Sequence, residues 1–314
     1  MGIIHGYLLM LVVAMGSMAT TCNAERVWKR IITVDQSGKK GNYVKIQDAI
    51  DAVPSNNVHP VFIRVEPGIY KEKIHVPENK PLITLSGRNA NTTVITWNDG
   101  GDIFKSPTLT VFASDFVGRY LTIQNTYGTT DKAVALRVTS EKAMFYACRI
   151  ISYQDTLLDE SGRHFYNNCY IEGATDFIFG NAASLFKQCH LRSTSEDNGA
   201  ITAQRRTSEE ENTGFYFVRC KITGVKRCVL GRPWGPYSRV VFSQTYMSSA
   251  VLPQGWDDWG KSSTHRTAYY GEYKCFGPGA KRTHRVGWSL SLSIQQASPY
   301  LTMNIMDANN WVMS

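Results

Sequence analysis

Phe145-x-x-Cys148-Arg-Ile150, Tyr166-x-x-Cys169-Tyr-Ile171, Phe186-x-x-Cys189-His-Leu191 and Phe217-x-x-Cys220-Lys-Ile222 are four copies of one pattern: a ring, a cysteine three residues on, and an aliphatic side chain two residues beyond it. Phe242-x-x-Thr245-Tyr-Met247 continues the series, and Leu121-Thr-Ile123 is an earlier, partial copy. The anchors at 121, 148, 169, 189, 220 and 245 are separated by 27, 21, 20, 31 and 25 residues. Periods above 20 that vary in length, each carrying a short alternating stretch, describe a solenoid whose insertions fall in loops. Each copy is too short for a strand plus a packed crossover helix. The β-branched and aromatic period-2 pattern also argues against helix pairs. A parallel β-helix meets both constraints, with coils stacked at the strand spacing of about 4.8 Å and equivalent residues forming columns. The repeating cysteines then read either as small inward-facing core residues or as partners in disulfides between neighbouring coils.

The flanks differ from the repeat. Val44 to Val53 places apolar residues at helical spacing and reads as an amphipathic helix capping the amino-terminal end of the solenoid. After Gly277-Pro278-Gly279 the chain loses its period and reads as a tail packed against the coils. No linker rich in proline or serine interrupts the chain, so one domain is the expectation.

Residues 1–24 contain no Lys, Arg, Asp or Glu, and the run from Tyr7 to Met15 is almost wholly apolar. That run is too short for a membrane span of roughly 20 residues. Small residues around Cys22-Asn23-Ala24 make Met1–Ala24 read as a secretory signal peptide, with residues 25–314 as the mature domain. All 34 basic and 26 acidic residues lie after Ala24, so the mature chain keeps a net charge of +8. A basic secreted protein is suited to a polyanion: an acidic polysaccharide, an anionic lipid or extracellular nucleic acid. With 43% hydrophobic residues, the chain can build a real core, which excludes a disordered chain. Six cysteines remain after processing, and Asn91-Thr92-Thr93 is a glycosylation sequon.

Two carboxylates fall on the repeat. Asp155 and Asp176 each follow a cysteine anchor by seven residues, which puts them on adjacent coils at the same angular position. Like charges that close cannot both ionise freely, so one carboxyl keeps its proton while the other is charged, as an acid working beside a base or nucleophile requires. Arg232, in the turn Leu230-Gly231-Arg232-Pro233-Trp234, supplies a cation to hold one of them ionised. Gln154 can donate to a developing oxyanion, and Lys132, 22 residues earlier, comes near it by the same column logic.

The chain resembles the plant-type pectinesterases, or pectin methylesterases, from about Val34 to Trp311. The resemblance is carried by Gly68-Ile-Tyr70-Lys-Glu72, Ala133-Val-Ala-Leu136, Tyr153 to Leu157, Asp176 to Gly180, Leu230 to Trp234, and Tyr270-Gly-Glu-Tyr273 with Gly277-Pro-Gly-Ala280. It implies an all-β, right-handed parallel β-helix and a carboxylic ester hydrolase that removes methyl groups from cell-wall homogalacturonan. It further implies Asp176 as nucleophile, Asp155 as the acid and then the base, Arg232 as the group that holds the nucleophile, and Gln154 as an oxyanion donor. Phe177, Phe179, Trp234 and Trp256 are candidates for lining the sugar cleft, with core or rim packing as the alternative. His164 and His190 are candidates for the cleft rim.

The chain departs from the family pattern in three places. Lys132 stands where most members carry a glutamine that is the other oxyanion donor, Arg205 where a glycine is usual, and Leu158 where an aromatic often follows the Asp155 motif. Lys132 keeps a donor but adds a charge beside the acid, which motivates a second reading: a catalytically weak pectin-binding protein on the same scaffold. A β-helical glycosidase, which also pairs carboxylates, is a third. No Gly-x-Ser-x-Gly motif points to a serine esterase. No metal or organic cofactor is implied. Expected partners are pectin and a proteinaceous pectinesterase inhibitor, with no nucleic acid or membrane. The protein is expected to act as a secreted monomer in the cell wall.

Overall fold

The computed structural model describes residues 30–307, 309, 311 and 312. The expected signal peptide lies outside the described residues. From Arg30 onward the chain winds as a right-handed parallel β-helix, and every strand pairing among the described residues is parallel. The coils build three sheets of eleven, eight and seven strands. A typical coil runs through Ala143–Tyr146 of the eleven-stranded sheet, Arg149–Ile151 of the eight-stranded sheet and Leu157–Asp159 of the seven-stranded sheet. The next coil then begins at Arg163.

Register converts the sequence repeat into columns. The rings of Phe145, Tyr166, Phe186, Phe217 and Phe242 align coil to coil and stack with centroids 5.3, 4.6, 4.6 and 4.4 Å apart. A second column, Ile123, Ile150, Ile171, Leu191, Ile222 and Met247, fills the core beside it. One residue forms the corner between the eleven- and eight-stranded sheets in each coil, and Ala147, Asn168, Gln188, Arg219 and Gln244 all adopt positive φ there. Such a conformation costs an L-residue roughly 1–2 kcal/mol. It is held by the ladder, for instance by the Asn168 amide donating to Lys187 O at 3.0 Å. At the first four of these corners the residue that follows is a cysteine that points inward and is unpaired, which answers the question of disulfides. The thiols of Cys169, Cys189 and Cys220 donate to a carbonyl of the preceding coil, as Cys189 does to Tyr166 O at 3.4 Å.

Both ends are closed by residues distant in sequence. The amino-terminal helix covers Ile46–Asp51, shorter than the apolar spacing predicts, with Ile46, Ala49 and Ile50 buried. Glu72 accepts the amides of Ile46 and Gln47 at 3.0 Å each, and Lys80 donates to Asp51 O and Val53 O at 2.7 and 2.6 Å. These side chains satisfy helix ends that its own sequence leaves bare. At the other end Glu272 follows Phe242 in the aromatic column. It is 3% exposed and receives Arg282, Arg285 and the Trp256 indole. The tail packs Leu292, Ala297 and Met306 on the outer face of the eleven-stranded sheet, against Phe165, Leu185, Tyr216 and Val241. Asn91 of the sequon is exposed.

Phe186 lies fully buried between two stacked neighbours. Phe186→Ala is expected to destabilise the protein by about 3–5 kcal/mol, read as a lower denaturant midpoint; an unchanged midpoint would mean that the column does not hold the coils together.

Candidate active site

Asp155 and Asp176 occupy the corner that leads into the seven-stranded sheet. The pairings Gln154↔Thr175 and Leu157↔Ile178 bracket them with one 21-residue offset, so the two aspartates are opposite one another on adjacent coils. Both adopt positive φ, 62° and 48°, a conformation that turns the chain sharply before each strand. The ladder fixes the first of them, the Asp155 amide donating to Thr175 O at 3.1 Å. On the flanking coils the same register positions hold Val134, Ala200 and Val229, all buried. The two carboxylates therefore sit in an apolar column, each 7% exposed.

Arg232 lies two coils beyond Asp176 on the strand Cys228–Pro233, and the coil between presents Ala203 at its register position. Across that small side chain the guanidinium reaches Asp176 as a fork, Nε to Oδ1 at 2.8 Å and Nη2 to Oδ2 at 2.6 Å. Trp259 covers the other face of the guanidinium, its ring centroid 3.9 Å from Cζ. The carboxylates of Asp131 and Asp257 add negative charge around the pair.

This asymmetry decides which carboxyl keeps the proton. Burial pushes Asp155 up to about 7. The charge of Asp176 adds to the rise, while Lys132 and Arg232 pull against it. Burial raises Asp176 as well, and on balance it stays raised, but there the two hydrogen bonds and the charge of Arg232 oppose the rise directly. Burial disfavours the Arg232 cation, yet its bonds to Asp176 outweigh that and raise it, so it stays charged. The shared proton belongs on Asp155, whose carboxyl has no guanidinium fork.

Of the other expected site residues, Lys132 and Gln154 are half-buried beside the pair. Lys132 lies close enough for its charge to act on Asp155, and neither side chain has a hydrogen-bond partner among the described residues. Phe179 joins Val134, Leu158 and Ala203 in an apolar floor on the outer face of the seven-stranded sheet, with Trp234 against it, ring centroids 6.0 Å apart. Arg205 lies over the Trp234 ring at 4.8 Å, so two departures from the family pattern, Leu158 and Arg205, meet at one crevice.

Two aromatic assignments are corrected. Phe177 is fully buried, filling the inside of the corner that turns Asp176 outward. Trp256 is 1% exposed, stacks on Tyr270 at 4.5 Å and donates to Glu272, so neither ring can face a sugar. The aromatic at the site from that segment is Trp259, three residues on, in the turn Asp257-Asp258-Trp259-Gly260. The tight-turn composition of that stretch is the sequence signal for it. His164 is likewise not at the rim. It is fully buried inside the solenoid, with Nδ1 2.6 Å from Asp159 and Nε2 2.8 Å from Ser140 O. His190 is on the eight-stranded sheet, bonded to Thr223, away from the pair. Among the described residues no group of three or more His, Cys, Asp or Glu is placed to hold a metal ion.

The Pectinesterase family model matches residues 31–309. An Arabidopsis thaliana protein named "Putative pectinesterase 11" is 57% identical over 284 residues, covering 90% of this chain and 80% of that protein. Pectinesterase 31 of the same plant is 40% identical over 296 residues, with coverages of 88% and 92%. Among solved structures, a pectin methylesterase from carrot superposes with a TM-score of 0.86 at 33% identity, covering 90% of this chain and 94% of the other.

A carboxyl raised on folding stabilises the fold fully below its unfolded value, and that contribution is lost as pH rises through its folded value. For Asp155 the window runs from 3.8 to about 7. Between pH 4 and pH 8 the stability of Asp155→Asn is expected to gain on the parent by roughly 3–4 kcal/mol, followed by thermal unfolding at each pH. A difference that stays flat with pH would show that Asp155 titrates as an ordinary carboxylate.

Proposed function

The chain belongs to the pectinesterase family, and from that membership we propose how its own residues remove methyl groups from pectin. The protein is a carboxylic ester hydrolase that converts esterified pectin and water to pectate and methanol. The observation that carries the assignment of roles is the Arg232 fork on Asp176 beside an Asp155 raised to about 7.

In this reading Asp176 is the nucleophile. One of its oxygens bonds to the ester carbonyl carbon, and the carbonyl oxygen becomes an oxyanion. The Gln154 amide and the Lys132 ammonium, neither engaged by another described residue, donate to it. As the intermediate collapses the bond to the methoxy oxygen breaks, and Asp155 passes its proton to that oxygen, releasing methanol. An anhydride between Asp176 and the sugar carboxyl remains. Asp155, now a carboxylate, takes a proton from water, whose oxygen attacks the sugar carbonyl of the anhydride. Asp176 leaves as a carboxylate, recaptured by Arg232, and the sugar is left with a free carboxyl. A charge at Lys132 lowers the proton affinity of Asp155 but does not displace the proton at pH below 7. That balance supports an active enzyme over a silent binding protein.

Trp234 and Trp259 support a cleft in which pyranose faces pack, with the buried Phe179 beneath Trp234 as its floor. Arg205 gives one end of that cleft a fixed positive charge suited to a carboxylate already freed on a neighbouring sugar. We place the enzyme's action outside the cell on wall pectin. Its net charge of +8 suits a substrate that grows more acidic as the reaction proceeds. Secretion through Met1–Ala24, a monomeric state and regulation by a proteinaceous inhibitor belong to the same reading.

Methanol release from esterified pectin tests the assignment. Asp155→Asn is expected to lose about 10²–10⁴ in turnover and Asp176→Asn at least as much, with cooperative unfolding retained and no new reducing ends formed by the parent. Near-parental turnover in either variant would reject these roles, and new reducing ends would favour a glycosidase.

A further inference from the structure

The outer face of the eleven-stranded sheet changes character along the solenoid. Its later coils present Phe165, Leu185, Tyr216 and Val241 to the carboxy-terminal tail, which covers them. Its early coils present a cavity of about 370 Å³ lined by three arginines. Register explains the hollow. Arg64, Ser86 and Arg119 form one outward column on three successive coils, so a small hydroxyl separates two guanidinium stems about 9.6 Å apart at the strand spacing. Gly87 extends the low floor, and it cannot be larger, since a Cβ there would come within 2.2 Å of Tyr120 O. Tyr120, 37% exposed, and Arg88 flank the open end.

The charges in this hollow are largely uncompensated. Arg88 pairs with Glu66, but neither Arg64 nor Arg119 meets a carboxylate among the described residues. Arg119 is half-buried, with its Cζ 5.1 Å from the Phe62 ring centroid and its Nε buried without a hydrogen-bond partner among the described residues. A buried guanidinium N–H left unmade is costly, so Arg119 is held here at an energetic cost.

We propose that this cavity is a second saccharide site, specific for the free carboxylate of galacturonate in the enzyme's own product. Paired guanidiniums match a carboxylate in fork geometry, and a neutral methyl ester offers them no charge. The volume suits a saccharide unit rather than a bare ion, with the exposed Tyr120 ring as a surface for the sugar. The site belongs to a different sheet from Asp155 and Asp176. Holding de-esterified pectin there would keep the chain tethered and raise the effective concentration of its remaining esters at the catalytic pair. The inference rests on the pectin reading for its choice of ligand.

The test is calorimetric titration of the purified enzyme with an unesterified galacturonate tetramer, beside methanol release from a short esterified oligomer. Arg64→Gln/Arg119→Gln is expected to lose one binding event, or at least about tenfold in affinity, with methanol release unchanged. The charge-matched control Lys71→Gln/Lys226→Gln should bind as the parent does. Should the double variant fail to fold, Arg64→Gln alone, at an exposed position, is expected to show a smaller loss of the same kind. Equal losses in pocket and control variants, or no loss in either, would overturn the proposal. Inorganic phosphate binding as tightly as the tetramer would also overturn it, marking a small-anion site. An enzyme that binds the tetramer at the pocket but releases no methanol would leave the site standing and reject the catalytic reading instead.

Discussion

Successive coils hydrogen-bond in parallel and in register, so any residue that recurs at a matching position becomes a column along the molecule. The core and the candidate site are both consequences of that one constraint. Inside, it stacks five rings from Phe145 to Phe242 with centroids 4.4 to 5.3 Å apart. At the corner before the seven-stranded sheet, it sets Asp155 opposite Asp176, a separation no flexible pair of loops would hold against the repulsion of two carboxylates.

What the register creates, the surroundings differentiate. Val134, Ala200 and Val229 continue the aspartate column with apolar side chains, and burial there raises both carboxyls. Only Asp176 has a cation fork within reach, because Arg232 crosses the small Ala203. Two chemically identical groups on adjacent coils thereby come to differ in proton affinity, which is the condition for using one as nucleophile and the other as acid. Trp259 closes the exposed face of the guanidinium and keeps that interaction from being screened by water.

The columns are legible in the sequence because a parallel β-helix spaces its repeats in the chain itself; the offset from Asp155 to Asp176 can be read directly. The direction of a ring at a corner cannot. Phe177 and Trp256 have the composition of a sugar platform, yet Phe177 fills the inside of the corner that turns its neighbour Asp176 outward, and Trp256 is drawn in by Tyr270 and the Glu272 carboxylate. The capping helix is shorter than its apolar spacing for a related reason: it begins where Glu72, from another coil, accepts the amides of Ile46 and Gln47. Sequence periodicity near Val44 carries no trace of that partner. The basic hollow escapes a sequence reading for the same cause, since net charge says nothing of where Arg64 and Arg119 stand relative to Ser86.

The central claim is that environment alone gives the proton of the pair to Asp155. Carbon-13 NMR of aspartate side-chain carboxyls, assigned through the Asp155→Asn and Asp176→Asn variants, measures this without reference to turnover. The account predicts that Asp155 titrates near 7 while Asp176 stays ionised through that step, and that Lys132→Gln moves the Asp155 midpoint upward by removing an opposing charge. Asp155 titrating in the ordinary carboxylate range, or Asp176 holding the proton at neutral pH, would contradict it.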